Sequence, residues 1–397
     1  MNVLVVAPEY PPHVIGGGGA VYERVARGLA RLGHSVTVIF GDITNRDALA
    51  RSPRVHPSRD GVRLVGVPLL PAPQRFAWAI SATPVAPFAA PKLRQLLARG
   101  DWDVAHLHGI GFPLVNTCAR LLTSRNIPYV LTAHGVPRGP FLRGRLFGAM
   151  ARLYLGGATR RTVDGAASIT GISRAVLDDP NFPIRRGTVI PNGIDLPAAP
   201  DVRGRESARR VPLRVLSVSR LSANKGIDVA INAVGLLRRS HPVEYDIYGS
   251  DGGDERALRA LADDAGAAND IHFRGTFAPE SRDQLFADHD VLLVPSRVEG
   301  FGLAALEGLA AGLPVIANPV DGLSQFLSAE NAVLVPDLDP APWCRALMQV
   351  ATEPAAERQR RIDAGLRTAE AFAWEPIVGR YESELSAARA RRRVESA

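Results

Sequence analysis

Residues 291–317 have the sequence VLLVPSRVEGFGLAALEGLAAGLPVIA, in which an apolar run, a glycine-containing loop, a helical pattern and a second apolar run follow one another. The pattern predicts a strand over 291–294, a helix over 303–311 and a strand over 314–317. Short, continuously apolar strands joined through helices are typical of a parallel sheet covered on both faces. The stretch therefore predicts an α/β fold.

The same alternation of apolar strands and helical patterns extends over most of the chain. In the first half, strands are predicted over residues 3–7, 35–40, 62–67, 103–107, 129–133, 167–170 and 188–190. Helical patterns lie between them over residues 20–32, 84–98, 112–124 and 141–163. In the second half, strands 213–218, 245–248 and 271–274 alternate with helices 226–239, 255–265 and 279–287, and the C-terminal residues look helical. Two such series predict two Rossmann-like, doubly wound domains.

A change in composition separates the two series. The sequence LPAAP at 196–200 leads into a charged stretch over 201–210, which is typical of a linker. We therefore place an N-terminal domain at 1–197 and a C-terminal domain at 198–373. Because open α/β sheets bind ligands beyond the carboxyl ends of their strands, we expect two such sheets to face each other across a cleft lined by strand-end loops.

The composition limits the class of protein. Of the 397 residues, 46% are hydrophobic, which suffices for two buried cores. No apolar run is long enough to predict a transmembrane helix, and the first residues predict a strand rather than a signal peptide. The two cysteines, Cys118 and Cys344, lie far apart in apolar helical contexts, which argues against a disulfide framework. We therefore expect a cytoplasmic protein.

The basic residues are numerous but scattered. The formal net charge is +7, yet no basic stripe with interleaved aromatic residues and no nucleic-acid motif occurs, so we expect no nucleic-acid partner. Only two of the 47 basic residues are lysines, Lys92 and Lys225. In a chain that uses arginine almost everywhere, a retained lysine is either needed as a lysine or survives at a tolerant position. We assign Lys92 to the second case.

Four glycines at 16–19 follow the first predicted strand and precede a helix. Glycines let a backbone approach a ligand closely, and a helix N-terminus favours an anion. The spacing departs from the dinucleotide-binding fingerprint, because Val21 occupies the position of its third glycine. From this segment alone, a phosphate-binding loop and a flexible surface loop both stay open.

Two cations follow the first strand of the second series. Arg220 stands at the end of that strand, and Lys225 stands at the start of the next helix. Such a pair suits a diphosphate, because arginine offers a bidentate fork and lysine a point charge. The alternative is a solvated loop with two unrelated charges, and the scarcity of lysine counts against it.

The loop within 291–317 carries the most specific pattern. The amides of Phe301, Gly302 and Leu303 are predicted to point from a helix N-terminus, which suits phosphate. Glu299 lies in the loop and Glu307 about one turn inside the helix. An acid favoured by the helix dipole would explain Glu307 alone, but not Glu299 or the Gly-Phe-Gly between the two carboxylates.

The Glu-x7-Glu pattern formed by Glu299 and Glu307 resembles the signature of retaining glycosyltransferases of the GT-B fold, in family 4. Each further motif is weak alone, but together and in order the motifs are specific to the family and not to a substrate. Counterparts of the family's other motifs stand in the same order at residues 8–19, 29–36, 132–135, 171–173, 191–195 and 220–225.

The resemblance implies a role for each matching residue of the donor site. Arg220 and Lys225 would hold the donor diphosphate, Glu299 would contact the donor sugar, and Glu307 would contact the ribose. The remaining phosphate contacts would come from backbone groups of a loop and a helix start, namely Gly16, Gly17, Gly18, Phe301, Gly302 and Leu303.

The resemblance also implies roles outside the phosphate site. His134 would lie near the reacting carbon of the donor sugar. Gly249 and Arg274, with their neighbours in sequence, would wall the base. The helix at 374–390 would cross back and pack on the first domain.

The activity that the resemblance implies is retaining transfer of a sugar from a nucleoside-diphosphate sugar. We favour a UDP-sugar, for example UDP-GlcNAc or UDP-glucose, and a hydroxyl of a small polar or lipid-linked acceptor. The leaving phosphate would take the acceptor's proton, and catalysis would be electrostatic. The alternatives are a sugar-nucleotide 2-epimerase, a GDP-mannose-dependent mannosyltransferase and a non-catalytic nucleotide or lipid binder.

No cofactor or essential metal is expected. The chain has no Asp-x-Asp motif, and the GT-B class does not generally require a metal for its chemistry. His106 and His108 alternate at the end of a predicted strand without an acidic partner in sequence reach, which favours a hydrogen-bonded structural role over a metal site.

The segment 137–161 allows two interpretations. Leucines and a methionine fall on one helical face and arginines elsewhere, a pattern that fits peripheral contact with anionic lipid at the inner membrane face. The same pattern fits a helix that packs on the sheet with a solvated basic face, which we favour. The sequence does not specify the acceptor or the oligomeric state.

Overall fold

The structure is a computed structural model that describes residues 1–12, 18–42, 52–70, 84–135, 153–180, 182–184, 186–197 and 211–395. The chain forms two compact units, one of residues 1–193 with 374–397 and the other of residues 194–373. The unit boundary thus follows residue 193, whereas the sequence predicts a domain boundary after residue 197. The linker at 198–210, Gly16, Gly17 and most of the segment 137–161 lie outside the described residues.

The first unit is built on an eight-stranded sheet of order β3-β4-β2-β1-β5-β6-β7-β8, parallel except for the β3–β4 pair. The strands are β1 Asn2–Ala7, β2 Ser35–Asp42, β3 Arg54–Arg59, β4 Val62–Pro68, β5 Val104–His108, β6 Tyr129–Ala133, β7 Ser168–Gly171 and β8 Thr188–Val189. The helices up to residue 193 include α1 Gly18–Arg31, α2 Ala90–Arg99, α3 Pro113–Thr123, α4 Arg160–Asp164 and α5 Arg174–Leu177. A π-helical turn, Leu155–Thr159, precedes α4.

The second unit is built on a six-stranded parallel sheet of order β11-β10-β9-β12-β13-β14. The strands are β9 Leu213–Val218, β10 Val243–Tyr248, β11 Ile271–Gly275, β12 Val291–Val294, β13 Val315–Ala317 and β14 Val333–Leu334. The helices are α6 Ile227–Leu237, α7 Glu255–Asp264, α8 Arg282–Ala287, α9 Leu303–Ala310, α10 Asp321–Ser324, α11 Pro340–Thr352 and α12 Ala355–Glu370. The expected α/β class with two Rossmann-like sheets is confirmed.

The C-terminal helix, α13 Trp374–Glu395, belongs to the first unit, as the resemblance implied. Arg389 pairs with Asp103 at 2.7 Å, and the side chain of Tyr381 is buried against the ring of His106. None of the described helices is both long and apolar enough to cross a membrane.

Local sequence explains how the core of the second unit forms. Strand β12 is fully buried, as its unbroken Val-Leu-Leu-Val sequence predicts. Asp339 caps α11 by accepting the amide of Ala341 at 2.9 Å, and proline occupies the first helical position. That cap starts a helix whose Trp343 is completely buried in the hydrophobic core.

Some elements of the structure differ from those that the sequence predicts. Strand β3 has the polar sequence RVHPSR and lies exposed at the sheet edge, so it lacks the apolar signal used to predict strands. The helix predicted at 84–98 begins only at Ala90, after a 3-10 turn at Pro87–Ala89. Of the helix predicted at 141–163, the structure describes only the part from 153.

Candidate functional site

Two loops of the second unit are held together by Arg297. Its guanidinium donates two hydrogen bonds of 2.7 Å to the carboxylate of Asp228 and one of 2.8 Å to Ala223 O. Its backbone amide donates to Asn224 O at 2.8 Å. Strands β9 and β12 are neighbours in the sheet, so the loops that follow them meet at the carboxyl edge. Arg297 thereby fixes the loop after β12 against the loop that contains Lys225.

Gly226 permits the closest approach between these loops. Its φ is 68°, in the left-handed region, and a Cβ atom there would lie 1.9 Å from Pro295 O. Only glycine meets both conditions without moving the backbone. The Lys225-Gly226 pair therefore places a cation directly beside the end of β12.

Lys225 and Glu299, 74 residues apart, form an ion pair. Lys225 Nζ donates to Glu299 Oε2 at 2.6 Å, and their side chains are 20% and 14% exposed. Ser296 Oγ donates to the same oxygen at 3.2 Å. The side-chain amide of Asn318 donates to the backbone carbonyl of Ser296 at 2.9 Å and holds this residue in place. The structure thus brings together two residues predicted to bind the donor.

The start of α9 completes this group. Gly302 caps the helix with φ 95°, and a Cβ atom there would lie 2.2 Å from Leu323 Cδ2 and 3.4 Å from Glu299 Cγ. No described residue accepts a hydrogen bond from the amides of Gly302 or Leu303. Free amides at a helix N-terminus attract anions. Lys225, Glu299 and this helix start therefore form one polar site.

The ring of Phe301 serves the core rather than the site. It is 3% exposed and packs against Phe326 at 5.5 Å and Phe372 at 6.0 Å between ring centroids. The ring anchors the loop, so only the backbone of Phe301 is available for a ligand.

Glu307 has a partner, Arg282, that the sequence does not predict. Arg282 Nη1 lies 3.3 Å from Glu307 Oε1, and Arg282 Nη2 donates to Asp195 O at 3.5 Å. Burial raises the pKa of Glu307, although Arg282 opposes the shift. Glu307 is therefore not a solvated first-turn acid. Arg282 stands in an ordinary helical pattern, and no signal in the sequence marks it.

The other predicted residues of this unit lie along the same sheet edge. Arg220 is exposed and has no side-chain partner among the described residues. Gly249 follows β10 and donates its amide to Gly275 O at 2.7 Å. Arg274 donates to Asp246 at 2.7 Å, so its guanidinium is engaged on the neighbouring strand. Burial raises the pKa of Asp246, but hydrogen bonds from His289 and Arg274 prevail and lower it.

His134 lies in the first unit and contacts a second histidine. Its Nε2 is 3.0 Å from His108 Nδ1, and the ring of Tyr22 packs on both histidines. Burial lowers the pKa of His134 to about 3, so the ring is neutral near pH 7. Gly18, the first residue of α1, lies beside Tyr22, since a Cβ atom there would be 2.7 Å from the phenol oxygen.

The histidine pair extends into a buried stack. The rings of His106 and His108 are 4.0 Å apart, and His106 Nε2 lies 2.7 Å from Thr132 Oγ1. The predicted hydrogen-bonded role of His106 is confirmed. The alternation of histidines on β5, matched by Thr132 and His134 along β6, was the available signal for this contact, because alternate residues share a face of a sheet.

Candidate metal ligands do not cluster in the part of the chain that the structure describes: no group of three or more His, Cys, Asp or Glu side chains there could hold an ion. The absence of an essential metal stays a prediction.

Two family models match the chain, and together they span most of it. The model described as Glycosyltransferase Family 4 matches residues 15–197, and the model described as Glycosyl transferases group 1 matches residues 212–353. The second match contains the polar site formed by Lys225, Glu299 and the start of α9.

Curated relatives are similar over nearly the whole length. The glycogen synthase of Mycobacterium tuberculosis is 29% identical over 95% of this chain and 92% of its own. The MMP alpha-(1->4)-mannosyltransferase of Mycolicibacterium hassiacum is 26% identical over 97% of this chain and 99% of its own.

A solved structure shares the GT-B fold. The structure of Anabaena Alr3699/HepE in complex with UDP and glucose has a TM-score of 0.72 and 16% identity, and it covers 97% of this chain and 99% of its own.

Proposed function

The chain belongs to the group 1 glycosyltransferases of family 4, and we propose that this glycosyltransferase moves a sugar from a UDP-sugar to an acceptor hydroxyl with retention of anomeric configuration. The observation that carries the proposal is the contact of Lys225 with Glu299 at the start of α9. A cation, a carboxylate and free helix amides in one place match the phosphate and hydroxyl groups of a sugar nucleotide.

Lys225 and the amides of Gly302 and Leu303 bind the donor diphosphate in this proposal. A positive point charge and a helix N-terminus both stabilise an anion. Arg220 adds a second cation, and its exposed guanidinium is available for a bidentate contact. These groups act most strongly on the charge that develops as the bond to the sugar breaks, so they accelerate departure of the nucleoside diphosphate.

The carboxylates of Glu299 and Glu307 accept hydrogen bonds from the hydroxyl groups of the donor. Glu299 is held by Lys225 and Ser296 through one oxygen, Oε2, which leaves Oε1 to accept a hydrogen bond from the sugar. Glu307 contacts the ribose hydroxyls. Arg282 holds one of its oxygens, and burial of the carboxylate strengthens its contact with a ligand hydroxyl.

The acceptor's proton passes to the leaving phosphate on the same face of the sugar, which yields retention. His134 has a neutral ring, because burial lowers its pKa to about 3, and it serves as a hydrogen-bonding group toward the donor sugar. No cofactor or metal is required in this scheme, because cations and amides of the chain balance the diphosphate charge.

UDP is the favoured nucleotide because the similar HepE structure holds UDP and glucose. The mannosyltransferase relative favours a second candidate, a GDP-mannose donor. A thermal-shift panel of UDP-, GDP- and ADP-sugars separates these donors, since a bound nucleotide raises the melting temperature by mass action.

The decisive experiment measures nucleoside diphosphate release from the preferred donor with an acceptor panel that includes α-1,4-glucan oligosaccharides. We expect Lys225→Ala and Glu299→Ala to lower the rate by about 100-fold or more with the fold intact. The matched control is Lys92→Ala, at the exposed second lysine, which should retain wild-type turnover. Wild-type rates in both site variants would refute the proposal.

The product identifies the reaction type. An α-linked glycoside from an α-linked donor, read from its anomeric proton coupling, supports retention. A β-linked product contradicts retention, and an epimerised sugar formed without acceptor indicates a 2-epimerase instead.

A further inference from the structure

We infer that His108 is a positioning residue: its Nδ1–H donates to Nε2 of His134 and leaves Nδ1–H of His134 as the donor to an oxygen of the sugar. The inference rests on the proposed function, which places His134 at the donor sugar. Beyond that function, it names His108 as the residue that orients His134, and Nδ1 as the nitrogen of His134 that carries the proton.

The fold holds the two rings in a defined geometry. His108 ends β5, and His134 directly follows β6, the neighbouring parallel strand. Their nitrogens are 3.0 Å apart, a good hydrogen-bond distance. Tyr22 packs its ring at 4.8 Å from His108 and 5.0 Å from His134, between centroids. The ring of His106 lies 4.0 Å from that of His108, between centroids.

Both rings are neutral, because burial lowers the pKa of His108 well below its usual value and that of His134 to about 3. Each neutral ring therefore carries one proton. One proton lies between His108 Nδ1 and His134 Nε2, and the direction of this hydrogen bond decides where the second proton of the pair sits.

The buried nitrogen of His108 decides the direction. His108 Nε2 is buried and has no hydrogen-bond partner among the described residues. If His134 donated, His108 would carry its proton on Nε2, and a buried N–H would be left without an acceptor. Buried backbone N–H groups without partners are rarer in proteins than carbonyl acceptors without partners, and we apply the same preference to the imidazole N–H. Donation from His108 avoids that cost, so the proton of His134 sits on Nδ1.

His106 follows the same rule. Its Nδ1 is buried without a partner among the described residues, and its Nε2 lies 2.7 Å from Thr132 Oγ1. The proton therefore sits on the partnered nitrogen, Nε2, and the Thr132 hydroxyl in turn lies 2.7 Å from Thr170 Oγ1. In both His106 and His108, the buried nitrogen without a partner among the described residues holds a lone pair.

The orientation has a functional consequence. His108 is fully buried, whereas His134 is partly exposed at the end of its strand. The edge of His134 away from His108 therefore presents a neutral N–H donor rather than a basic lone pair. Such a group stabilises an oxygen of the donor sugar and cannot accept the acceptor's proton.

The test reads the tautomer directly, without substrate. In protein labelled at the histidine ring nitrogens, long-range proton–nitrogen correlation spectra distinguish protonated from unprotonated nitrogens, and His134→Gln assigns the His134 signals. We expect His134 to carry its proton on Nδ1 from pH 6 to pH 8. A proton on Nε2, or a doubly protonated ring in this range, overturns the inference.

Variants test the positioning role. His108→Leu should mix the tautomers of His134 and lower kcat by about 10- to 100-fold with a smaller change in donor KM. His108→Asn, which keeps an N–H donor near the position of Nδ1, should restore one tautomer and most of kcat. His106→Gln is the matched control, because it changes the same stack and leaves the bond between His108 and His134 in place.

The outcomes separate the two proposals. An unchanged His134 spectrum with wild-type kcat in His108→Leu overturns the positioning role. If His108→Leu does not fold, the wild-type spectrum still tests the tautomer of His134, and His108→Asn still tests the positioning role. Failure of the wild-type protein to turn over any sugar nucleotide counts against the proposed function, whereas the spectra judge the tautomer independently of turnover.

Discussion

Lys225 Nζ donates a 2.6 Å hydrogen bond to Glu299 Oε2 across 74 residues of sequence. The cation assigned to the donor diphosphate and the carboxylate assigned to the donor sugar are therefore each other's partners. Each side chain orients the other in a partly buried position. The donor's phosphate and sugar groups meet a pair that is already in place.

Glu299→Gln separates charge from shape in this pair. Glutamine keeps the size and an oxygen that accepts from Lys225, so we expect the free energy of unfolding to change by less than about 1 kcal/mol. Loss of the negative charge should lower kcat by about 100-fold. Steady-state rates and urea unfolding measure the two effects. Glu330→Gln, at an exposed carboxylate of the same unit, is the control. An active Glu299→Gln enzyme would contradict the assigned role.

Gly302→Ala tests the start of α9. The left-handed φ of 95° and the 2.2 Å approach to Leu323 both oppose a Cβ atom. We expect a loss of about 1–3 kcal/mol in unfolding free energy and weaker donor binding, because the helix amides must shift. Gly379→Ala in α13 is the matched control, since nothing lies within 4 Å of its added Cβ. Equal melting temperatures for both variants would show that Gly302 is not constrained.

Arg297→Lys removes the fork that joins the two loops. Hydrogen bonds from Arg297 have the largest effect on the pKa of Asp228. They hold this pKa below its usual value, although burial opposes them. We expect a loss of about 1 kcal/mol, since both side chains are about one-third exposed and solvent screens the pair. Donor KM should rise, because the loop with Lys225 is released.

The pH dependence of that loss follows from the direction of the Asp228 shift. A folded-state pKa below the unfolded value of about 3.9 gives stability that is present above that pH and is lost as pH falls through the folded pKa. The gap between wild type and Arg297→Lys should therefore be largest near pH 7 and close below about pH 4 in urea titrations. Arg174→Lys, in an exposed pair on α5, is the control and should change stability little. A gap that widens in acid would contradict this account.

His106→Gln tests the neutral histidine stack. Burial lowers the pKa of His106 to about 3, with a smaller effect of His134, so the unfolded chain binds the proton first as pH falls. The stability that the neutral ring contributes is full above the unfolded pKa of about 6.5 and is lost below it. Glutamine keeps the donor to Thr132 and does not titrate. The charged and titratable groups around the stack are His108, His134, Tyr22, Tyr381 and Glu9.

The expected result is a difference in slope. Between pH 6 and pH 4, the stability of the wild type should fall faster than that of His106→Gln by about 1.4 kcal/mol per pH unit, the value for one proton. Unfolding free energies at half-unit pH steps measure it. Parallel curves would show that His106 is protonated in the folded state.

Positions at strand ends could be predicted because they depend on local sequence. The strand–loop–helix series placed Arg220, Lys225, Glu299 and Gly302 between the end of a strand and the next helix, where the structure has them. The resemblance to the family implied that Arg274 walls the base. Its pairing with Asp246 was not foreseen, because that contact depends on which strand lies beside β11.

The sequence by itself determined the α/β class, the two series of strands and helices, and the loops in which the polar residues stand, because hydrophobic periodicity and glycine placement act over short stretches of chain. The tertiary structure decided which of those residues meet. Strand β9 lies between β10 and β12, and β5 lies beside β6. That order follows from packing over the whole core, which no local stretch encodes. It joins Lys225 to Glu299, Arg297 to Asp228 and His108 to His134.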